Sequence, residues 1–235
     1  MVMTLQKPPK ADEPAKLNES HERIIQAATL LFAEHGYHGV SARQIADAVG
    51  LNVATVHYHT GGKRELYLSV VRRLYEQEQA LVASVLDAQP EDAWTSPALL
   101  WPALTKLADA LVAFLDQHPE RARLYMRRWL EAADEMTRAE AELSLALHRP
   151  LLAVLERARQ VGAIRADVDI ALFLRSFTWV LFSYFVTGPI DWQTWRGDPH
   201  TPAALDAFRA YLRDYVARML GLTPVSPVPP ACGGA

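Results

Sequence analysis

Between Ser41 and His59 the chain reads SARQIADAVGLNVATVHYH, and this stretch constrains the fold most, because its apolar spacing and its glycine fit two short helices joined by a sharp turn. Ile45, Ala46, Val49, Leu51 and Val56 supply an apolar inner face. Gly50 falls where the chain must turn between the helices, often with a positive φ that glycine adopts at no steric cost. Ala46, four residues before it, lets the helices approach closely, and Val56, six residues after it, faces the same core. The outward positions Asn52, Val53, Ala54, Thr55, His57, Tyr58 and His59 carry hydrogen-bonding and small apolar groups and no acid. Such a face can lie against phosphates, and the pattern is that of a DNA-reading helix-turn-helix.

The charge balance has to be read by region. The net value of −3 by itself discourages a nucleic-acid reading, but residues 1–75 hold nine Lys or Arg against seven Asp or Glu, so the excess of acid lies in the remainder. Five of the eight histidines (21, 35, 38, 57 and 59) also fall in this first third, where nearby phosphate favours their protonated forms. A few placed contacts, with a salt dependence set by the phosphates neutralised, suit this polarity.

Helical periodicity dominates and strand signals are nearly absent, so the expected fold class is all-α. A first helix is expected over about Ser20–His35, with Ile24, Ala27, Ala28, Leu31 and Phe32 as its apolar stripe and Ser20 as its cap. Ser41 and Asn52 are natural N-caps for the second and third helices. A long fourth helix begins near Lys63 and runs to about Ala88, linking two domains, and a loop follows over Gln89–Pro97. Further helices are expected at about 98–117, 120–133, 138–161, 169–187 and 202–220, separated by Pro119, Gly162, Gly188-Pro189, Pro199 and Pro202. The expected organisation is an N-terminal tail (1–18), a three-helix domain (19–66), a larger helical domain (67–221) and a C-terminal tail (222–235).

The chain resembles the TetR family of transcriptional regulators. The matching residues are Arg23-Ile-Ile-Gln-Ala-Ala-Thr-Leu-Leu-Phe-Ala-Glu-His-Gly-Tyr37, Val40-Ser-Ala-Arg-Gln-Ile-Ala-Asp-Ala-Val-Gly50, Thr55-Val-His-Tyr-His59 and Lys63-Arg-Glu-Leu-Tyr67. Two departures stand out: Thr60, where the family usually has an aromatic, and the Gly61-Gly62 pair, where Pro, Ser or Asn is common. The resemblance implies a double-stranded DNA operator, a small-molecule effector and a homodimer as partners. It also implies DNA contacts: hydroxyls of Ser41 and Thr55, the Tyr58 phenol and the His59 imidazole to phosphates; Lys63 at a helix start, where ammonium and free N–H groups favour an anion; and Arg43 as a bidentate donor to guanine. Val53, Ala54 and His57 are candidates for base edges, and Asn52 for a contact or simply a cap.

The C-terminal two-thirds must carry the control. Phe173, Phe177, Trp179, Val180, Leu181, Phe182, Tyr184 and Phe185 spread apolar groups around a whole helix, which therefore needs cover on all sides. One face is expected inside the subunit and another, with Phe182, Phe185, Phe208, Tyr211, Leu212 and Tyr215, in a symmetric four-helix interface. A pocket for a mainly apolar effector is drawn from Leu107, Leu111, Phe114, Tyr125, Trp129, Phe173, Phe177 and Trp179, against the plainer reading of each as core. Arg127 and Arg128 are expected on a solvated face.

Other chemistry is disfavoured. His57 and His59 stand two apart on a helix, about 200° around it, so no metal site is expected there. No phosphate-binding glycine loop, nucleophile elbow or His-Glu-x-x-His helix is present, and neither an enzyme activity nor a cofactor is expected. The apolar run Ile170–Val186 contains Arg175, Ser176, Thr178 and Ser183 and reads as a buried helix rather than a membrane span. A Lys-, Pro- and acid-rich start without an apolar segment, and the single Cys232, point to the cytoplasm. The rival reading is an α-helical small-molecule or lipid-binding protein, or an enzyme, whose N-terminal unit does not bind DNA.

Overall fold

A computed structural model describes residues 13–130 and 135–222, and among them the chain is helical throughout, with no strand. The expectations for the C-terminal tail and Cys232, and for all but the last six residues of the N-terminal tail, lie outside the described residues. Backbone contacts divide the chain into two compact units, one up to Arg73 and one from Leu74.

The N-terminal unit holds α1 (Glu13–His35), α2 (Ala42–Val49), α3 (Val53–Thr60) and the first part of α4 (Lys63–Asp87). α1 starts at Glu13, so the expected start at Ser20 is corrected: Ser20 lies inside the helix and does not cap it. The core is built from Ile24, Ile25, Ala28 and Phe32 of α1, Ile45, Ala46 and Val49 of α2, Val56 of α3 and Leu66, Tyr67 and Val70 of α4, all buried. Phe32 is fully buried and meets the Tyr67 ring edge-on at 5.0 Å, the arrangement that the aromatic quadrupole favours.

Local chemistry fixes the two short helices. Ser41 and Gln44 form a reciprocal capping box: the Gln44 N–H donates to Ser41 Oγ at 3.2 Å and the Ser41 N–H donates to Gln44 Oε1 at 2.7 Å. At the other end Gly50 has φ 69°, and a Cβ there would meet nothing within 4 Å, so the backbone angle rather than lack of room calls for glycine. The Arg23 guanidinium donates to the Val49 carbonyl at 2.8 Å, which satisfies one of the last carbonyls of α2 with a cation at the negative end of its dipole.

The C-terminal unit contains the rest of α4, a 3-10 turn at Glu91–Trp94, α5 (Pro97–Gln117), α6 (Pro119–Leu130), α7 (Glu135–Gln160), α8 (Ile170–Thr187) and α9 (Pro202–Leu220). The 3-10 turn falls inside the stretch expected as plain loop. Trp94, Leu100, Leu104, Leu155, Ile164, Phe173, Leu174, Val216 and Leu220 share one core cluster. α5 and α8 are long and apolar enough to cross a bilayer by length and composition. Both instead pack within the unit, α5 with eight buried residues and α8 with six, of which Leu100, Ala103, Leu104, Ile170, Phe173 and Leu174 belong to this cluster.

Two sequence expectations are corrected here. Phe182, Phe185, Phe208 and Leu212 were assigned to an interface between subunits, yet each is at most 5% exposed within a single chain. Phe185 meets Phe208 edge-on at 6.2 Å between α8 and α9, where Tyr184 stacks on Phe208 with ring centroids 3.6 Å apart and its hydroxyl donates to the Ala204 carbonyl at 2.9 Å, while Phe182 packs against Tyr125 and Trp129 of α6. Tyr211 is 54% exposed, and Tyr215 is half-buried, with its hydroxyl 2.6 Å from Ser176 Oγ. Arg128, expected in solvent, is buried with its Nε donating to Glu140 Oε2 at 2.8 Å, and Glu140 Oε1 accepts from the Tyr75 hydroxyl at 3.1 Å. The cause is helix phase: Arg127 is exposed and its neighbour, 100° further round, turns inward to a carboxylate that α7 supplies.

Candidate nucleic-acid interface and apolar cavity

α3 carries the outward residues. Val53, Ala54, His57 and Tyr58 are exposed, Tyr58 at 79%, while Val56 alone on this helix is buried and anchors it. An eight-residue helix with one buried side chain leaves these four exposed ones available to a groove. Arg43, near the start of α2, is also exposed.

Other nominated residues already have work inside the unit. Asn52 Oδ1 accepts from the Thr55 N–H at 2.7 Å and from the Thr55 hydroxyl at 2.9 Å, so Asn52 caps α3 and fixes Thr55 Oγ1 as an acceptor for anything outside. Ser41 Oγ donates to Gln44 Oε1 at 2.8 Å, so its hydroxyl proton is taken up within the capping box. His59 is half-buried; its carbonyl lies 3.2 Å from His21 Nδ1, and its ring meets the Tyr58 ring edge-on at 5.5 Å. Lys63 holds its ammonium 4.3 Å above the centre of the Tyr37 ring, a cation–π contact, and partial burial lowers its pKa below the usual lysine value.

Sequence reasoning missed Tyr37, Gln44 and Arg23 as parts of this site. Gln44 was readable, because Ser followed three residues later by Gln is the capping-box signature. Arg23 and Tyr37 gave no local signal: their partners Val49 and Lys63 lie 26 residues away in each case.

The departures at 60–62 form a compact corner. Thr60 Oγ1 donates to the Val56 carbonyl at 2.8 Å, Gly61 closes α3 with φ 77° and its N–H on the His57 carbonyl, and Gly62 has φ 138°. Two successive positive φ values explain the glycine pair, since both angles are costly for residues with a Cβ.

The C-terminal unit encloses an apolar cavity of about 50 Å³ lined by Leu86 of α4, Leu107 and Leu111 of α5, Val154 of α7, Phe173 and Phe177 of α8, and their neighbours. Of the nominated pocket residues, Leu107, Leu111, Phe173 and Phe177 line it; Phe114, Tyr125, Trp129 and Trp179 do not. Phe173 and Phe177 are one turn apart and share a face, whereas Trp179 is two residues on and turned about 200° away. Trp179 and Trp129 instead pair at 5.1 Å, and Trp129 and Tyr125 pack on Phe182 at 5.6 and 5.0 Å, as a second aromatic cluster. Among the described residues no three His, Cys, Asp or Glu side chains gather as a metal-ligand set.

Comparison with known proteins gives this geometry its context. Residues 24–70 match the family described as bacterial regulatory proteins, tetR family, and residues 102–216 match the tetracyclin repressor-like C-terminal domain. The chain is 26% identical over 191 residues, 77% of its own length, to the HTH-type transcriptional repressor KstR2 of Rhodococcus jostii (strain RHA1), of which 87% is covered. In fold it is similar to the ketosteroid transcriptional regulator KstR2 of Mycobacterium tuberculosis, with a TM-score of 0.62 at 19% identity, covering 86% of this chain and 93% of that one. It is likewise similar to the transcriptional regulator FadR of Bacillus subtilis, solved in complex with stearoyl-CoA, with a TM-score of 0.64 at 16% identity, covering 86% of this chain and all of the other. With its helix-turn-helix and its larger helical domain both matched in order, the chain belongs to the TetR family and is a DNA-binding transcriptional regulator, not an enzyme.

Proposed function

We propose that this regulator is a cytoplasmic repressor that holds a near-palindromic operator as a homodimer and releases it when a small, mainly apolar effector binds in the C-terminal unit. The carrying observation is α3, whose Val53, Ala54, His57 and Tyr58 are all exposed while Val56 alone is buried. Arg43, Val53, Ala54 and His57 read bases in this proposal, and Tyr58, His59 and Lys63 hold phosphates, joined by Ser41 and Thr55 when their hydroxyls turn from Gln44 and Asn52 toward the DNA. Asn52 acts mainly by capping α3. Two such readers in successive major grooves, roughly 34 Å apart, supply the specificity that one short helix lacks. The repressor relatives support the sign of the regulation.

For the dimer, the proposal uses the outer faces of α8 and α9, where Leu172, Trp179, Tyr211 and Met219 are all more than a third exposed, in place of the four residues buried within the chain. For the effector, it uses the cavity under Leu107, Leu111, Phe173 and Phe177. At about 50 Å³ that cavity is far below the several hundred Å³ of an occupied small-molecule site, so binding must widen it. That widening is how ligand affinity becomes a conformational shift, since only an effector that binds the widened state better changes the balance.

Selection of bound duplexes from a random pool tests the DNA half: a palindromic consensus is the expected result, and salt-sensitive binding without sequence preference would defeat it. Arg43→Ala is expected to weaken the selected operator about tenfold with the fold intact, the range of one bidentate base contact. Tyr58→Phe is expected to cost less. The sensor half fails if no apolar molecule alters operator affinity.

A further inference from the structure

Three successive residues of α1 each reach a different helix of the N-terminal unit. His21 Nδ1 lies 3.2 Å from the His59 carbonyl at the end of α3, the Glu22 carboxylate pairs with Arg73 on α4, and the Arg23 guanidinium donates to the Val49 carbonyl at the end of α2. Successive helical residues stand 100° apart, so positions 21 to 23 cover about 200° of α1 and face three neighbours from a single turn. The core beside them, with Ile24, Ile25 and Ala28 buried, is held by a force that has no preferred direction, whereas hydrogen bonds weaken steeply with angle. The polar contacts of this turn therefore select one orientation of the helices around α1.

The His21 contact sets both a proton and the end of a helix. A carbonyl only accepts, so this bond requires the proton on Nδ1 and leaves Nε2 on the other side of the ring. Its acceptor belongs to the last turn of α3, where the final carbonyls lack donors further along the helix and the negative end of the dipole lies. There the His57 carbonyl accepts from the Gly61 N–H and the His59 carbonyl from His21. α3 has eight residues and is about 12 Å long, with Asn52 capping its start and Val56 as its one buried residue. His21 adds an anchor at the far end, the end that carries the exposed His57 and Tyr58.

We infer that His21 is a positioning residue of the DNA reader: its Nδ1–H holds the last turn of α3, so that His57 and Tyr58 meet the operator in register. The inference rests on reading α3 as the helix that meets DNA. Half-buried, His21 acts through the α3 backbone rather than by touching the duplex. Hydrogen bonds to bases and phosphates span only about 2.7–3.2 Å, so a shift of about an ångström at this end of α3 is enough to break them. Arg23 secures the end of α2 in the same way, and the Glu22–Arg73 pair ties the turn to α4.

Fluorescence anisotropy of the full chain on the operator selected from the random pool tests this with His21→Asn and His21→Gln. The Asn amide nitrogen stands where imidazole Nδ1 stands, and the longer Gln amide reaches to where Nε2 stands. Asn is expected to keep operator affinity within about twofold and Gln to weaken it about five- to tenfold, the loss of one hydrogen bond, with the salt slope unchanged in both. Both variants offer a polar amide, so a merely structural demand for polarity at this place would not separate them. Equal affinity in the two, retained or lost, overturns the inference. The reverse order, or a salt slope smaller by about one, also overturns it by showing that the ring meets the DNA itself. His57→Ala and Tyr58→Ala keep the two readings apart. If neither weakens the operator, α3 does not meet DNA and the inference falls with that reading; if they do weaken it while Asn and Gln stay alike, the inference alone falls.

Discussion

The two units of this chain are both helical, but different forces decide their details. In the N-terminal unit each corner has a local cause: the Ser41–Gln44 capping box, the left-handed Gly50, the Asn52 cap and the Gly61-Gly62 pair all act within a few residues. In the C-terminal unit the decisive contacts join distant positions, such as Tyr75 with Glu140, Gln79 with the Leu143 carbonyl and Arg213 with Asp109. A reader of DNA gains from locally fixed geometry, because its side chains must keep register with base edges. A sensor gains from a core whose packing a ligand can rearrange.

The largest expected effect separates the units by stability. Phe32 is fully buried in the small core of the N-terminal unit, so Phe32→Ala is expected to cost about 3–5 kcal/mol there. Hydrogen exchange should show lost protection in α1 to α3 and unchanged protection in α5, α8 and α9. Uniform loss across all the helices would break the comparison, because the two units would then unfold as one.

Next comes a change confined to the C-terminal unit. The Glu78 carboxyl titrates near 4.5 when exposed and near 7 when folded, so the folded state keeps the proton longer. Its contribution is neutral below the lower value, becomes unfavourable as pH rises between the two, and stays so above the higher one, at an upper limit of roughly 3 kcal/mol. Glu78→Gln should therefore raise stability at pH 8 and leave it nearly unchanged at pH 4. Equal gains at both values would show that charge burial is not the cause.

These two predictions bear on what the sequence made legible. Helix positions were legible because their breaks are local: the expected α8 and α9 spans agree with Ile170–Thr187 and Pro202–Leu220 to within a residue, and Ser41, Gly50 and Asn52 fill the places their chemistry implied. The exposed face of α3 followed from helical phase, and of the eight residues expected to line a pocket four, Leu107, Leu111, Phe173 and Phe177, do line the cavity. What failed was the choice between neighbours that are equally apolar or equally charged. Phe182 faces α6 and Phe185 faces α9 within the chain, and Arg128 rather than Arg127 is buried, since only the positions of the neighbouring helices decide which side of α6 or α8 is covered. The start of α1 was missed because Ser20 carries a good cap side chain at a place where the helix simply continues.

A smaller effect compares glycines across the units. Gly50 and Gly162 have φ values of 69° and 74°, and a Cβ at either would meet nothing within 4 Å. Substitution by Ala should thus cost only the left-handed backbone strain, about 1 kcal/mol at each site. Circular dichroism melts that show similar losses support one shared cause; a loss at Gly50 several times larger would mean that the turn also carries packing absent from Gly162.

The smallest stability effect gives the finest division of roles inside the reader. Asn52 accepts two hydrogen bonds through Oδ1, from the Thr55 N–H and the Thr55 hydroxyl, and Asp supplies an equivalent acceptor at an N-cap. Asn52→Asp is therefore expected to leave thermal stability within about 0.5 kcal/mol of the parent, and the negative charge near the N-terminus of α3 opposes any loss. The same charge stands on the face proposed to meet phosphates, so operator affinity should fall, and more steeply at low salt than at high salt. Both readouts must be taken on one sample series, because their combination carries the conclusion. Unchanged stability with reduced affinity keeps Asn52 as a cap standing close to DNA. Unchanged affinity at low salt would mean that the start of α3 does not approach the backbone, and the proposed docking of this helix would have to be turned so that His57 and Tyr58, rather than Val53 and Ala54, enter the groove.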